Sequence, residues 1–116
     1  MPFRKILCAG LLAAAFGVPS AMAEDIEIAV AGPMTGQLAN ICDQFKQGAP
    51  AGADMINGKG GVMGRKIRLV MEDDVCDPKQ AVSIANRIVA AGIKFVDGHA
   101  CSGSSIPASA VYAEAG

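Results

Sequence analysis

Aromatic residues and excess basic charge are both scarce in this chain. It contains no tryptophan and one tyrosine, aromatic residues make up 4% of its 116 residues, and its formal net charge is −1. Nucleic-acid-binding domains usually carry a clustered basic excess, and single strands are bound by stacked aromatic side chains. We therefore expect no nucleic-acid partner. The length suits one small domain, whose core must be aliphatic.

Histidine is nearly absent, which limits the possible metal sites. Zinc sites combine several His and Cys ligands, but His99 is the only histidine. The acidic group Glu72, Asp73, Asp74 and Asp77 lacks the spacing of a calcium-binding loop. We expect no metal and no cofactor. Asp77 is predicted to cap a helix, the other three to form a solvated strand end, and His99 to be a hydrogen-bonding loop residue.

Charged residues are also rare near the N-terminus. Arg4 and Lys5 precede an uncharged run over 6–18, and an Ala-x-Ala pattern ends at Ala23. These are the three parts of a cleavable secretory signal peptide. The run is shorter than the roughly 20 apolar residues of a membrane span. We expect residues 1–23 to be removed, and the exported chain not to be embedded in a membrane.

Cysteine is present four times, and one copy, Cys8, falls in the predicted signal peptide. Export places Cys42, Cys76 and Cys101 in a compartment where disulfides persist. Three is an odd number, so at most one internal pair forms and one thiol is left over.

Short apolar runs alternate with longer amphipathic runs from Ile26 onwards, which is typical of an α/β domain with a parallel sheet. We expect a doubly wound sheet with the first strand between the second and third. Strands are predicted over 26–31, 67–71 and 93–97, and helices over about 41–56, from Asp77 to Gly92, and from about 105 to 116.

Local sequence signals favour the second predicted helix and disfavour the first. Asp77 is a good N-cap, Pro78 suits the first helical position, Gln80 completes a capping-box-like pattern, and Gly92 can end the second helix. In the first helix Pro50 lies near the middle, where proline removes a hydrogen bond and clashes with the preceding turn. We expect a kink or a break there.

A doubly wound sheet binds ligands at the carboxyl ends of its strands, where the chain reverses direction. The loops at this point span 32–40 and 98–105. The second loop opens a helix whose free N–H groups favour a carboxylate. Ser104 or Ser105 is predicted to cap that helix. Ser102, one turn earlier, is the better candidate for a ligand contact.

Several segments resemble one known family. They read EDDVCDPKQAV over 72–82, GHACSGSSIPAS over 98–109, GPMTG over 32–36 and INGKGGVMG over 56–64. Together they resemble the periplasmic leucine/isoleucine/valine-binding proteins of bacterial ABC transporters. The resemblance covers essentially all of residues 24–116.

The resemblance implies a two-lobed, type I periplasmic binding protein without catalytic activity. Such a protein captures leucine, isoleucine or valine between its lobes and delivers it to a membrane permease. The family has some three hundred residues in all, so this chain is expected to correspond to the N-terminal part of a truncated first lobe.

The same resemblance assigns the site residues. Ser102 would hold the α-carboxylate of the amino acid, with Ala100 and Cys101 against its side chain, and Cys76 would pair with Cys101. Where the family commonly has an aromatic residue and then glycine, this chain has Ile41 and Cys42. Part of the pocket wall, including Ile41, is therefore expected to be smaller.

Two other interpretations of the sequence are weaker. The same lobe type serves as a sensing domain for amides and other small solutes, but a cleavable signal peptide without an effector domain favours transport. Cys101 near His99 could suggest a thiol-dependent enzyme, yet no group is evident that would orient the base.

Overall fold

The computed structural model describes residues 23–116, so the predicted signal peptide lies, apart from Ala23, outside the described residues. A short 3-10 helix spans Ala39–Cys42. The elements are β1 (Ile26–Gly32), α1 (Asp43–Gly58), β2 (Ile67–Asp73), α2 (Pro78–Ala90), β3 (Phe95–Asp97) and α3 (Ser102–Ala115).

The three strands form one parallel sheet in the order β2-β1-β3. Parallel neighbours need a crossover, which α1 provides between β1 and β2. Ala29 at the centre of β1 is paired with Val70 on one side and Val96 on the other. The predicted α/β class and strand order are confirmed.

The core lies between this sheet and helices α2 and α3. Ile84 and Ile88 of α2 pack with Ala29, and Val70, Val96 and Tyr112 pack against this cluster. The contact between the two helices is made by small side chains, Ala81, Ala85 and Ala108. Aliphatic and alanine side chains thus build the interior, as the scarcity of aromatic residues requires.

Helix α2 begins and ends as predicted. The Asp77 carboxylate accepts a hydrogen bond of 2.8 Å from the Gln80 N–H, and Pro78 takes the first position. At the other end Gly92 has a φ of 75°, and the Ile93 N–H donates to the Ile88 carbonyl at 3.2 Å. This is the Schellman arrangement, which draws Ile93 into the helix end and leaves β3 to start at Phe95 rather than at 93.

Of the kink or break predicted in the first helix, the break is wrong, because α1 is continuous across Pro50 from Asp43 to Gly58. Its C-terminal end is held by Asn57, whose side chain donates to the Ile67 carbonyl at 2.8 Å and accepts from the Ile67 N–H at 2.7 Å. These bonds join α1 to the start of β2. Tertiary contact therefore outweighs the local cost of proline.

Helix α3 starts at Ser102, three residues before the predicted position, so neither Ser104 nor Ser105 is its cap. The N–H groups of both serines donate to the Cys101 carbonyl, at 2.9 and 2.8 Å. The Ser105 hydroxyl instead donates to the His99 carbonyl at 2.6 Å. Hydrogen bonding in the turn at Cys101 therefore begins the helix earlier than the serine pattern indicates.

Candidate ligand-binding site

Three segments meet at the carboxyl end of β1. A Cβ atom placed on Gly32 would lie 2.6 Å from the Cys42 sulfur and 3.1 Å from the Ala100 Cβ. The missing side chain of Gly32 thus leaves the space in which the 3-10 helix and the loop before α3 approach each other. Cys42 is fully buried and makes no disulfide with the other cysteines of residues 23–116. Burial raises the pKa of its thiol, and the nearby Asp74 carboxylate raises it further.

At the end of β2, Asp73 organises the loop that follows β1. Its carboxylate accepts hydrogen bonds from the Met34 N–H at 2.8 Å, the Thr35 hydroxyl at 2.5 Å and the Val75 N–H at 3.1 Å. Partial burial acts to raise the pKa of Asp73, but these hydrogen bonds outweigh it, so the pKa is lower than usual. Asp73 is therefore a structural acceptor and not part of a solvated strand end.

The next residue, Asp74, is completely buried. One carboxylate oxygen lies 2.7 Å from Nδ1 of His99, and Nε2 of His99 lies 3.0 Å from the Tyr112 hydroxyl. The predicted solvated role of Asp74 is therefore wrong. The pairing with His99 offsets the cost of burying the carboxylate. The predicted hydrogen-bonding role of His99 is confirmed. Burial raises the pKa of Tyr112, and the charges of Glu72 and Asp74 add to the effect.

A disulfide joins Cys76 to Cys101, the pair that the family resemblance assigns, with their Cα atoms 5.6 Å apart. Cys76 lies in a tight turn closed by a 2.7 Å hydrogen bond from the Asp77 N–H to the Asp74 carbonyl. Both central residues of this turn have positive φ, 44° at Val75 and 58° at Cys76. The disulfide links the turn after β2 to the start of α3. Cys101 therefore has no free thiol.

The predicted ligand residues all lie at this edge of the sheet. Ser102 is exposed and occupies the first position of α3, where N–H groups have no acceptor within the helix. Ala100 and Cys101 are half-buried in the loop just before it. Ile41 is 46% exposed on the 3-10 helix, next to the buried Cys42. A helix N-terminus edged by exposed apolar surface suits a small molecule with a carboxylate at one end.

A concavity elsewhere in the described chain has a different lining. A concavity of about 640 Å³ lies at the opposite edge of the sheet, where Glu24, Arg65, Arg68 and Lys94 make its lining largely charged. Within residues 23–116 no group of three His, Cys, Asp or Glu side chains is placed to hold a metal ion. Nor is any helix there long and apolar enough to cross a membrane.

Sequence reasoning missed the pairing of Asp74 with His99, although a signal for it exists. Cys76 and Cys101 are 25 residues apart, and so are Asp74 and His99. If a disulfide joins two parallel loops, residues two positions before each cysteine are candidates to face each other. The participation of Tyr112 has no comparable signal.

In a parallel α/β sheet, ligands usually bind at the carboxyl ends of the strands where the chain reverses direction, and here a helix N-terminus lies open at that point. The family model described as "Periplasmic binding protein" matches residues 25–116. The chain therefore belongs to the periplasmic binding protein family, whose members bind solutes and are not enzymes.

Curated relatives of this chain are named for the amino acids they bind. The Leu/Ile/Val-binding protein of Escherichia coli K12 is 50% identical over 112 residues, which are 97% of this chain and 30% of that protein. A leucine-, isoleucine-, valine-, threonine- and alanine-binding protein of Pseudomonas aeruginosa is 46% identical over 95% of this chain and 30% of its own length. The chain thus spans less than a third of these relatives.

Solved structures with a similar fold include two amino-acid complexes. A branched-chain amino acid transporter substrate-binding protein of Streptococcus pneumoniae, in complex with isoleucine, has a TM-score of 0.74 at 29% identity. It aligns with 78% of this chain and 26% of its own length. An ABC transporter substrate-binding protein of Desulfitobacterium hafniense in complex with Leu has a TM-score of 0.68 at 40% identity, covering 79% of this chain and 26% of that one.

Proposed function

We propose that this chain is part of a periplasmic solute-binding protein that captures leucine, isoleucine or valine for an ABC importer. The supporting observation is the 50% identity to a Leu/Ile/Val-binding protein over 97% of the chain. Residues 1–23 are proposed to be a cleaved signal peptide. Residues 24–116 are proposed to be the N-terminal part of the first ligand-binding lobe.

Ser102 is proposed to hold the α-carboxylate of the amino acid. Its hydroxyl can donate one hydrogen bond, and the first N–H groups of α3, at Ser102 and Gly103, can donate others. The positive end of the helix dipole favours the negative charge at the same point. Since Ser102 is exposed and does not cap the helix through its side chain, its hydroxyl is available to a ligand.

The aliphatic side chain of the ligand is proposed to lie against Ala100, Cys101 and Ile41. Ala100 and Cys101 are half-buried and fixed by the disulfide, while Ile41 offers an exposed apolar surface. Burying apolar area of this kind contributes about 25 cal/mol per Å². These residues favour a branched aliphatic group over a charged one.

The proposed role is capture and delivery to a membrane permease, without catalysis. The disulfide removes Cys101 as a nucleophile, and Cys42 is buried with a raised thiol pKa, which disfavours the reactive thiolate. Neither sulfur therefore supports a thiol-dependent enzyme.

An NMR titration of the full chain with leucine tests the proposed carboxylate contact. The amide signals of Ser102 and Gly103 should shift saturably, and Ser102→Ala should weaken binding by roughly 1–3 kcal/mol because a hydrogen bond to a charged group is lost. Ser109→Ala is the matched control, since the Ser109 hydroxyl donates only to the Ile106 carbonyl within α3. Equal affinity of Ser102→Ala and the unsubstituted chain would remove Ser102 from the site.

A further inference from the structure

The loop that carries the proposed ligand contacts contains a buried imidazole with a partner at each ring nitrogen. The His99 side chain is 1% exposed and that of Asp74 0%. The contacts are 2.7 Å from Nδ1 to Asp74 and 3.0 Å from Nε2 to the Tyr112 hydroxyl. Ala100, Cys101 and Ser102 follow His99 directly in the chain. No role in ligand binding assigned above depends on this imidazole.

Both partners of the imidazole are themselves held in place. The Asp74 N–H donates to the Gly32 carbonyl at 3.1 Å, and its second carboxylate oxygen accepts from the Cys76 N–H at 2.9 Å. Tyr112 lies on α3, ten residues beyond Ser102, and packs against the core. The His99 ring is therefore fixed between the end of β2 and the body of α3.

The main chain of His99 is held as well, because its carbonyl accepts the Ser105 hydroxyl at 2.6 Å. An ionised carboxylate only accepts hydrogen bonds, so with Asp74 ionised Nδ1 carries the hydrogen that faces it. The Tyr112 hydroxyl, which can donate or accept, completes the chain of hydrogen bonds at Nε2. Such fully paired buried networks hold one arrangement, whereas partly paired ones are costly.

We infer that His99 is a positioning residue for the ligand site: its imidazole, held by Asp74 and Tyr112, fixes the loop that presents Ala100, Cys101 and Ser102. This inference rests on the proposed function for the identity of the ligand. The disulfide fixes the same loop at Cys101, one residue beyond Ala100. The imidazole fixes it on the side nearer to β3.

Three substitutions separate the two contacts of the ring. Tyr112→Phe removes only the partner of Nε2. In His99→Asn the side-chain amide can still donate to Asp74 from about the position of Nδ1, but it cannot reach Tyr112. His99→Ala removes both contacts. We expect leucine affinity to fall by roughly three- to tenfold in the first two variants and further in His99→Ala, as expected for one and two buried hydrogen bonds.

The chain offers a readout that needs no ligand, because it contains one histidine, one tyrosine and no tryptophan. The imidazole ¹⁵N signals therefore report on His99 alone, and tyrosine fluorescence reports on Tyr112 alone. We expect a hydrogen-bonded proton on Nδ1 that persists in Tyr112→Phe. Amide exchange at Ser104 and Ser105 should be faster in His99→Ala and partly slowed again in His99→Asn.

The outcomes distinguish this inference from the proposed function. A ring protonated only at Nε2, or amide exchange unchanged in all three variants, would overturn the positioning role, as would unchanged leucine affinity in all three. If the ring and exchange data are as expected but the unsubstituted chain binds no leucine, the positioning of the loop stands, and the proposed leucine contacts are not made by this part of the lobe alone. If His99→Ala does not fold, Tyr112→Phe and His99→Asn decide the question.

Discussion

The sulfur of Cys42 packs against Gly32 so closely that a Cβ atom on residue 32 would lie only 2.6 Å from it. Because Cys42 is fully buried, its sulfur leaves no room for a side chain on residue 32 at the end of β1. Ala100, a proposed ligand contact, packs at the same point. The packing of Gly32 and Cys42 therefore limits where the loop before α3 can lie.

Gly32→Ala should destabilise the chain by about 1–3 kcal/mol, the usual cost of overpacking. The loss should be smaller in a Cys42→Ala background, because the sulfur that collides with the new methyl group is then absent. Urea unfolding of the single and double variants measures this coupling. Gly48→Ala in α1, where nothing lies within 4 Å, is the control and should not destabilise. Equal losses in both backgrounds would contradict the packing described.

The thiol of Cys42 should resist labelling in the folded chain. Its burial and raised pKa keep it protonated and inaccessible, so an alkylating reagent at pH 8 should modify Cys42 only after denaturation. Peptide mapping by mass spectrometry should also find the peptide with Cys76 linked to that with Cys101. A Cys42-containing disulfide, or rapid labelling of Cys42 in the folded chain, would show that the pairing is different.

Thr35→Val should reduce the loss of stability in acid. The folded-state pKa of Asp73 is lowered, so its hydrogen bonds stabilise the fold above the unfolded-state pKa and are lost as the pH falls through the folded value. Without the Thr35 hydroxyl, the folded pKa moves back toward the unfolded one, and the free energy of unfolding should depend less steeply on pH below about 4. Thr35→Ser keeps the donor and is the control. Identical slopes for Thr35→Val and the unsubstituted chain would argue against this role of Asp73.

Val75→Asn should stabilise the fold by roughly 1 kcal/mol, because asparagine tolerates a left-handed backbone that a β-branched residue does not. Val75 has a φ of 44° and its side chain is 40% exposed, so little packing is lost. Thermal unfolding compares this variant with Val75→Thr, which keeps the branched Cβ and should gain nothing. An equal gain in stability in both variants would show that the gain does not come from the left-handed backbone at residue 75.

Local signals predicted the parts of the fold that depend on neighbouring residues. The Asp77 cap and the Gly92 end of α2 lie within a few residues of the groups they bond, so the sequence pattern was enough. Pro50 also acts locally, but the contacts of α1 with β2 outweighed it. The buried role of Asp74 depends on His99, 25 residues further along the chain, and the only sequence signal for this contact is the equal spacing of Cys76 and Cys101.

For the candidate site, the sequence predicted the position but not the details of the local structure. The carboxyl edge of the sheet follows from strand order alone, and the structure places Ala100, Cys101 and Ser102 there. The start of α3 was predicted three residues late, because the serines suggested a side-chain cap, whereas the turn at Cys101 begins the helix. The roles of Ser102, Ala100, Cys101 and Ile41 toward a ligand remain predictions.

Isothermal titration of the full chain with leucine, isoleucine and valine tests the central proposal most directly. Glutamate, which has an α-carboxylate but a charged side chain, is the control for the apolar wall. An aliphatic amide, which has no carboxylate, is the control for the carboxylate site. We predict saturable heat with the branched-chain amino acids and none with glutamate or the amide. Equal binding of glutamate or the amide would contradict the proposed branched-chain amino acid site, whereas a folded chain that gives no heat with any of the three would show that residues 24–116 form only half of that site.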